Sequence, residues 1–190
     1  RAIEEFPPYE FVVDEGASLW YEVFSDGKTY ADCFSVKTED IRPLYPLFAG
    51  GTVITLEVAV NQCRLAHEQP AYAYDSEEIS AITAFLAFAS RGKQLDIRVP
   101  QDDAPALAAY ESGKEFYYSK RGQLNFACSD CHAISVGQYA RADRLSAGLG
   151  HATHFPVYRS KTGGMVSLHQ RFSGCIRDVR ARQFELQSIE

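Results

Sequence analysis

The sequence predicts a mainly α-helical protein built from two related modules in tandem, and three observations support this. Apolar residues recur at helical spacing in several segments. Strand patterns are sparse, and only residues 51–55 resemble a short strand. An order of residues also occurs twice: a Gly-Gly pair, then a leucine (Leu56 or Leu168), then a cysteine seven positions later (Cys63 or Cys175).

Composition excludes several classes of protein. The chain has 190 residues, of which 46% are hydrophobic and 23% charged, and its net charge is −6. This is the composition of a folded globular chain, without the run of about 18 apolar residues that a membrane span needs. Positive charge is concentrated in residues 157–182 and forms no protein-wide basic face. We therefore expect no nucleic-acid partner and no membrane span, but a small anion or an acidic partner at the basic segment.

Local patterns place the predicted helices. Residues 1–15 have no period and are expected to form an irregular arm, and helical spacing follows over 19–24. A capping box that opens at Asp75 precedes a predicted helix over 76–91. A second helix is predicted over 106–119, directly before the most informative motif of the sequence.

That motif comprises Cys128, Cys131 and His132, which form the CxxCH pattern of c-type haem attachment. Two thiols three positions apart can bond the two vinyl groups on one porphyrin edge, and the adjacent histidine reaches the iron. A zinc site would need a second ligand pair at similar spacing, and none follows. A thioredoxin-like pair would follow a buried strand, whereas a polar stretch precedes this motif. The pattern predicts one covalently bound haem c, with a plain structural cysteine pair as the alternative.

The repeat and the haem motif together predict two cytochrome-c-like modules, separated by a Pro-bearing linker over 98–105. The first module, residues 1–97, lacks the haem motif, and Phe34 stands where the second copy has its ligand histidine. The second module, residues 98–190, carries the haem. Because the chain ends where the counterpart of the 76–91 helix would begin, we expect this module to lack its C-terminal helix and the sequence to belong to a longer protein.

Cysteine usage predicts a disulfide in the first module. Haem attachment of this kind occurs outside the cytoplasm, where thiols can oxidise. Cys33 and Cys63 are the only thiols of the haem-less module, so we expect them to be bridged. In the repeat, they correspond to Cys131 and Cys175, which places Cys175 close to the haem-bearing segment.

Cys175 is the cysteine that remains without an assigned partner. A buried free thiol is one interpretation. Its position in the repeat and the neighbouring basic segment favour an iron ligand or a reactive thiol instead. Arg171 lies four positions earlier, so one helical face would carry both, although a solvated surface charge is the alternative for Arg171. The rivals for the second axial position on iron are Met165, His151, His154 and His169.

Three segments carry a resemblance to a known family. They read QLNFACSDCH at 123–132, FPVYR at 155–159 and LHQRFSGC at 168–175. Together they resemble the A subunits of the bacterial Sox cytochrome pair that starts thiosulfate oxidation, known by reaction as L-cysteine S-thiosulfotransferase. The resemblance covers nearly the whole chain and is to the mono-haem branch, in which Cys33 and Cys63 would be bridged rather than serve a second haem.

The resemblance implies specific roles. Cys175 would be the distal haem ligand, held as a persulfide and acting in catalysis, and Arg171 would contact the substrate. The enzyme would join thiosulfate to a cysteine of a sulfur-carrier protein in the periplasm and pass electrons to a small c-type cytochrome, the X subunit. The alternative is a plain periplasmic electron-transfer cytochrome, with His132 and Met165 as its haem ligands.

Overall fold

The computed structural model describes residues 5, 7–99, 101–186 and 188. The longer helices are α1 (Glu10–Trp20), α2 (Leu56–Ala66), α3 (Glu77–Ala89), α4 (Ala104–Tyr118) and α5 (Leu168–Asp178). Short helical turns occupy Tyr30–Cys33, Thr38–Ile41, Arg42–Leu44, Asp130–Ile134 and His151–His154. The strands form antiparallel pairs: β1 (Leu47–Ala49) with β2 (Thr52–Ile54), β3 (Tyr139–Ala140) with β4 (Asp143–Arg144), and β5 (Val157–Arg159) with β6 (Gly164–Val166). The mainly α class is confirmed, and none of the described helices has the length and apolarity to cross a bilayer.

The chain folds as two compact units. The first contains the described residues up to Arg98 together with Phe155–Ser167, and the second contains those of Val99–His154 and those from Leu168 onward. The sequence predicted consecutive segments, so the β5–β6 hairpin differs from that expectation. Two contacts explain its place in the first unit: Arg42 Nη2 donates to the Phe155 carbonyl at 3.5 Å, and β6 packs against α3.

An aromatic core holds the first unit together. Trp20 is fully buried, and its ring stacks on Tyr30 with 5.5 Å between centroids. Helix α1 approaches α3 so closely that a Cβ on Gly16 would lie 2.0 Å from the Ala81 carbonyl oxygen. The other buried members of this core are Phe24, Ile41, Leu56, Val60, Cys63, Ile79, Ile82 and Leu86.

The expected irregular arm is wrong for residues 10–15, because α1 begins at Glu10. Val13, Gly16 and Trp20 are buried along one helical face, so contact with α3 stabilises this segment. Residues 1–4 and 6 of the expected arm lie outside the described residues.

The helix predicted over 76–91 is confirmed as α3, but its cap differs. Ser76 is the N-cap, and its hydroxyl accepts a hydrogen bond from the Ile79 N–H at 3.3 Å, whereas the sequence predicted Asp75. Helix α4 begins two residues before the predicted position, because Asp103 caps it by accepting from the Ala106 N–H at 3.0 Å. Both helices therefore start at a side-chain cap, which satisfies an otherwise unpaired N–H.

The repeated order of residues has a local structural counterpart. In the first copy, the β1–β2 hairpin precedes α2, which carries Cys63. In the second copy, the β5–β6 hairpin precedes α5, which carries Cys175. Only the β2 segment was predicted as a strand. Strands β1, β5 and β6 have three residues each, and the sequence pattern does not indicate their pairing.

The predicted disulfide between Cys33 and Cys63 is confirmed. It links the end of the Tyr30–Cys33 turn to α2, with 5.7 Å between the Cα atoms and a sequence separation of 30. Cys63 lies in the aromatic core, whereas Cys33 is exposed. The bridge therefore fastens a surface turn to the interior of the first unit.

Removal of this bridge should destabilise the first unit. We expect the Cys33→Ser, Cys63→Ala double variant to lose about 3–4 kcal/mol of unfolding free energy, since a loop of this length regains entropy when unfolded. Urea unfolding followed by Trp20 fluorescence measures this, because Trp20 is the only tryptophan and is buried in this core. An unchanged urea midpoint would show that the bridge contributes no stability.

Candidate functional site

The CxxCH motif lies on a helical turn of the second unit. Asp130 Oδ2 accepts a hydrogen bond from the Ala127 N–H at 2.8 Å at the start of this turn, and Lys120 Nζ lies 3.8 Å from the same oxygen. Cys128 and Cys131 are free, half-buried thiols. The turn therefore presents two thiols and a following histidine in the order that haem attachment requires.

The hydrogen bond of His132 determines which ring nitrogen is available to iron. Its Nδ1 lies 2.8 Å from the Ser146 carbonyl oxygen. Because a carbonyl only accepts, Nδ1 carries the proton and Nε2 keeps its lone pair. This is the tautomer that ligates a metal through Nε2, with the other nitrogen held by an outer partner.

Two further residues lie beside His132: Ser146, which the sequence did not indicate, and His151, which it offered as a candidate ligand of the iron. Ser146 Oγ lies 2.8 Å from His151 Nε2, and the His151 ring meets the His132 ring edge-on at 4.6 Å between centroids. Burial lowers the pKa of His151. His151 therefore belongs to a hydrogen-bonded and ring-contact network with Ser146 and His132.

The other residues that the sequence offered as iron ligands are His154, His169 and Met165. His154 is exposed, and its Nδ1 lies 2.7 Å from the Gly150 carbonyl oxygen. His169 lies on α5. Met165 lies in β6, paired with Tyr158, and belongs to the first unit.

Helix α5 carries the two residues that the sequence singled out for chemistry. Arg171 and Cys175 lie one turn apart on this helix. Burial raises the pKa of the Cys175 thiol, and the nearby Arg171 guanidinium opposes this by favouring the thiolate. Cys128, Cys131 and Cys175 all belong to the second unit.

A second guanidinium, that of Arg177, lies beside the first. A Cβ placed on Gly174 would lie 3.6 Å from Arg171 Nη1 and 3.8 Å from Arg177 Nη2. Neither arginine forms a salt bridge among the described residues. Two cationic groups thus meet over the buried Gly174, next to Cys175, where they can receive an anion.

Backbone hydrogen bonds connect the haem-motif segment to the end of α5. The Gln123 N–H donates to the Arg180 carbonyl at 3.2 Å, and the Leu124 N–H donates to the Val179 carbonyl at 3.3 Å. Gly122 makes this approach possible, because its φ is +71° and a Cβ there would lie 2.1 Å from the Val179 carbonyl oxygen. The spacing between the attachment segment and the helix of Cys175 therefore depends on Gly122.

The residues present fit a haem. The donor set is two free thiols and a histidine with an available Nε2. Among the described residues of the second unit, the buried hydrophobic residues are only Ala106 and Ala127, so a large apolar porphyrin suits this unit as part of its core. The exposed large hydrophobic residues of this unit are Tyr110, Tyr118, Leu124, Phe126, Ile134, Val136, Tyr139, Leu149 and Phe172.

Fold and site together define a c-type cytochrome, and comparison with known proteins agrees. Residues 15–95 match the family model described as SoxA/TsdA, cytochrome c domain. The chain is 49% identical to the L-cysteine S-thiosulfotransferase subunit SoxA of Allochromatium vinosum, over 100% of this chain and 68% of that protein. It is 43% identical to the same subunit of Chlorobaculum tepidum, over 100% of this chain and 66% of that protein.

A solved structure is similar over the same extent. The crystal structure of SoxXA from P. pantotrophus matches with a TM-score of 0.85 and 32% identity, over 96% of this chain and 70% of that one. The chain belongs to the SoxA family and spans about two thirds of the length of these curated relatives. Since the family has a cytochrome c domain, its cofactor is haem c.

The role of Gly122 can be tested with a second glycine of the same unit. Gly122→Ala should destabilise the second unit by about 1–3 kcal/mol, because alanine is strained at this φ and meets the Val179 carbonyl. Gly113→Ala is the matched control: no atom lies within 4 Å of its Cβ position, and alanine in a helix should stabilise by about 0.5–1 kcal/mol. Thermal unfolding and the haem content per chain measure both variants. Equal behaviour of the two would contradict the role of Gly122.

Proposed function

We propose that this chain is the haem-bearing subunit of a periplasmic L-cysteine S-thiosulfotransferase. It comprises two cytochrome-c-like modules, and only the second holds a haem, through Cys128, Cys131 and His132. The observation that carries this proposal is the grouping of Cys175, Arg171 and the attachment cysteines in the second unit. An electron-transfer cytochrome needs no thiol and no anion site beside its haem.

The reaction joins the outer sulfur of thiosulfate to the cysteine sulfur of a carrier protein. One S–S bond forms, the carrier thiol loses its proton, and two electrons leave. When bound, haem c supplies a one-electron acceptor. The second electron requires another acceptor, which we assign to a small c-type cytochrome, the X subunit, in agreement with the structural similarity to SoxXA.

Cys175 is the residue that we propose bonds to the substrate. Its thiol first forms an S–S bond with the outer sulfur of thiosulfate, losing one proton and two electrons. The carrier thiolate then attacks that outer sulfur, takes the thiosulfate group, and releases Cys175 as a thiolate. Arg171 stabilises this thiolate in both steps, against the burial that raises the pKa of the thiol. The soft sulfur of Cys175 would also suit it to bind the haem iron.

Arg171 and Arg177 hold the anion. Thiosulfate carries two negative charges, and the two guanidinium groups over Gly174 supply two fixed positive ones. A planar guanidinium can donate two parallel hydrogen bonds to the sulfonate oxygens. The sulfonate end would then lie at the arginines, with the outer sulfur directed to Cys175.

The first test separates the role of Cys175 from electron transfer. Cys175→Ala should change the haem spectrum and abolish thiosulfate transfer, because it removes an iron ligand and the reacting sulfur. Peptide mass spectrometry of the wild-type protein, incubated with thiosulfate and the oxidised cytochrome partner but without the carrier, should find the thiosulfate group bound to Cys175. The assay contains the carrier and the cytochrome partner. Full turnover of the Cys175→Ala protein in this assay would contradict the catalytic role of Cys175 and would leave this chain as an electron carrier or a structural subunit.

The second test concerns the anion. Arg171→Ala should leave the haem spectrum intact and lower thiosulfate turnover by about 10- to 150-fold, as expected for losing about 1.5–3 kcal/mol of a charge-assisted contact. Arg171→Lys should restore only part of the lost turnover, because lysine lacks the planar guanidinium that donates two parallel hydrogen bonds. Arg177→Ala should also raise KM for thiosulfate. Arg182 is an exposed arginine of the same basic segment, and Arg182→Ala is the control. It should change neither the turnover nor the KM for thiosulfate. Unchanged turnover of Arg171→Ala would place the anion elsewhere.

A further inference from the structure

A second cluster of metal-ligand side chains lies in the first unit, away from the haem motif in sequence. The sulfur atoms of Cys33 and Cys63 and a ring nitrogen of His67 all lie within 4.8 Å of one another. We propose that reduction of the Cys33–Cys63 disulfide opens a binding site for one Zn²⁺ ion, held by Cys33, Cys63 and His67. This site is independent of the thiosulfate reaction.

The backbone places these ligands as a zinc site requires. Cys63 lies in α2 and His67 caps the C-terminus of the same helix four positions later, so both lie on one face. Cys33 ends the turn that lies against them. Zinc binds sulfur at about 2.3 Å and nitrogen at about 2.0–2.1 Å, which sets tetrahedral ligands about 3.3–3.8 Å apart. The His67 nitrogen lies within 4.8 Å of both sulfurs, and these sulfurs can separate to the spacing of zinc ligands once their bond is reduced.

The surroundings of His67 orient it for ligation. Its Nδ1 lies 2.6 Å from Asp26 Oδ2, which leaves Nε2 as the nitrogen available to a metal. Its ring also stacks on Phe24, with 5.1 Å between centroids. A carboxylate behind a ligating histidine fixes its tautomer and increases its basicity. The fourth position would be filled by water, because Cys33 is exposed.

A dithiol can serve as the reductant that opens the Cys33–Cys63 disulfide. The dithiol is oxidised to a disulfide, and its two electrons and two protons convert Cys33 and Cys63 to thiols. Zn²⁺ then displaces both protons as it binds the two thiolates. The metal closes the same loop that the disulfide closed, so the first unit keeps a cross-link when the environment becomes reducing.

The experiment uses the haem-loaded chain in complex with its cytochrome partner. The complex is treated with a phosphine reductant, given Zn²⁺ and passed over a gel-filtration column, and zinc is measured per chain by mass spectrometry of the elements. We expect about one zinc per chain after reduction and less than about a tenth before it. Absence of zinc from the reduced complex would overturn the proposal.

Variants test the ligand set. Cys33→Ser and His67→Ala should each lose the zinc, and Asp26→Asn should bind it 10- to 100-fold more weakly. His154→Ala, an exposed histidine of the second unit, is the control and should keep it. Zinc retained by both Cys33→Ser and His67→Ala would contradict the site. In case these variants unfold, zinc-edge X-ray absorption of the reduced wild type decides: two sulfurs with imidazole nitrogen support it, and coordination without sulfur contradicts it.

Discussion

The contact between the haem-motif segment and the end of α5 is the constraint on which the site depends. Two backbone hydrogen bonds, from Gln123 and Leu124 to the carbonyls at 180 and 179, join these segments. The haem-attachment residues follow the first segment within the chain, and Cys175 and Arg171 precede the second. Because Gly122 has no Cβ, the two segments can approach closely. The thiols and the arginines are therefore brought together by backbone geometry rather than by a large side-chain core.

The two units are stabilised by different means. The first has an aromatic core around Trp20 and a disulfide that reaches into it. The second buries little of its own apolar surface among the described residues, and its composition suits a core that includes the porphyrin. A haem that binds the folded unit but not the unfolded chain adds its binding free energy to the stability of that unit. The order of hairpin, helix and cysteine thus occurs twice in the chain: the cysteine of the first copy forms a cross-link, and in our proposal the cysteine of the second copy is a reactive centre.

Much of the fold and site followed from local sequence patterns. The helix over 76–91 and the CxxCH motif could be predicted, because each depends on spacing along the chain. The Cys33–Cys63 pair could be predicted because these are the only cysteines of residues 1–97. The start of α1 could not, because its support is the contact of Gly16 with Ala81, which is distant in sequence. The hairpin at 157–166 joins the first unit through Arg42, and no pattern in either segment shows this. The contacts of Arg177 and His151 could not be predicted either, since only the folded chain places them beside Gly174 and His132.

The proposal depends most directly on Cys175, whose sulfur would bind the haem iron. Iron-edge X-ray absorption of the Met165→Leu variant, prepared with its cytochrome partner and corrected for the partner's own haem, tests this most directly. Met165 and Cys175 are the two candidates for a sulfur ligand of the iron, so the substitution removes one of them. If Cys175 supplies this sulfur, the sulfur neighbour of the iron is retained at an unchanged distance. Loss of that sulfur in the Met165→Leu variant would contradict it and would make this chain a His/Met cytochrome.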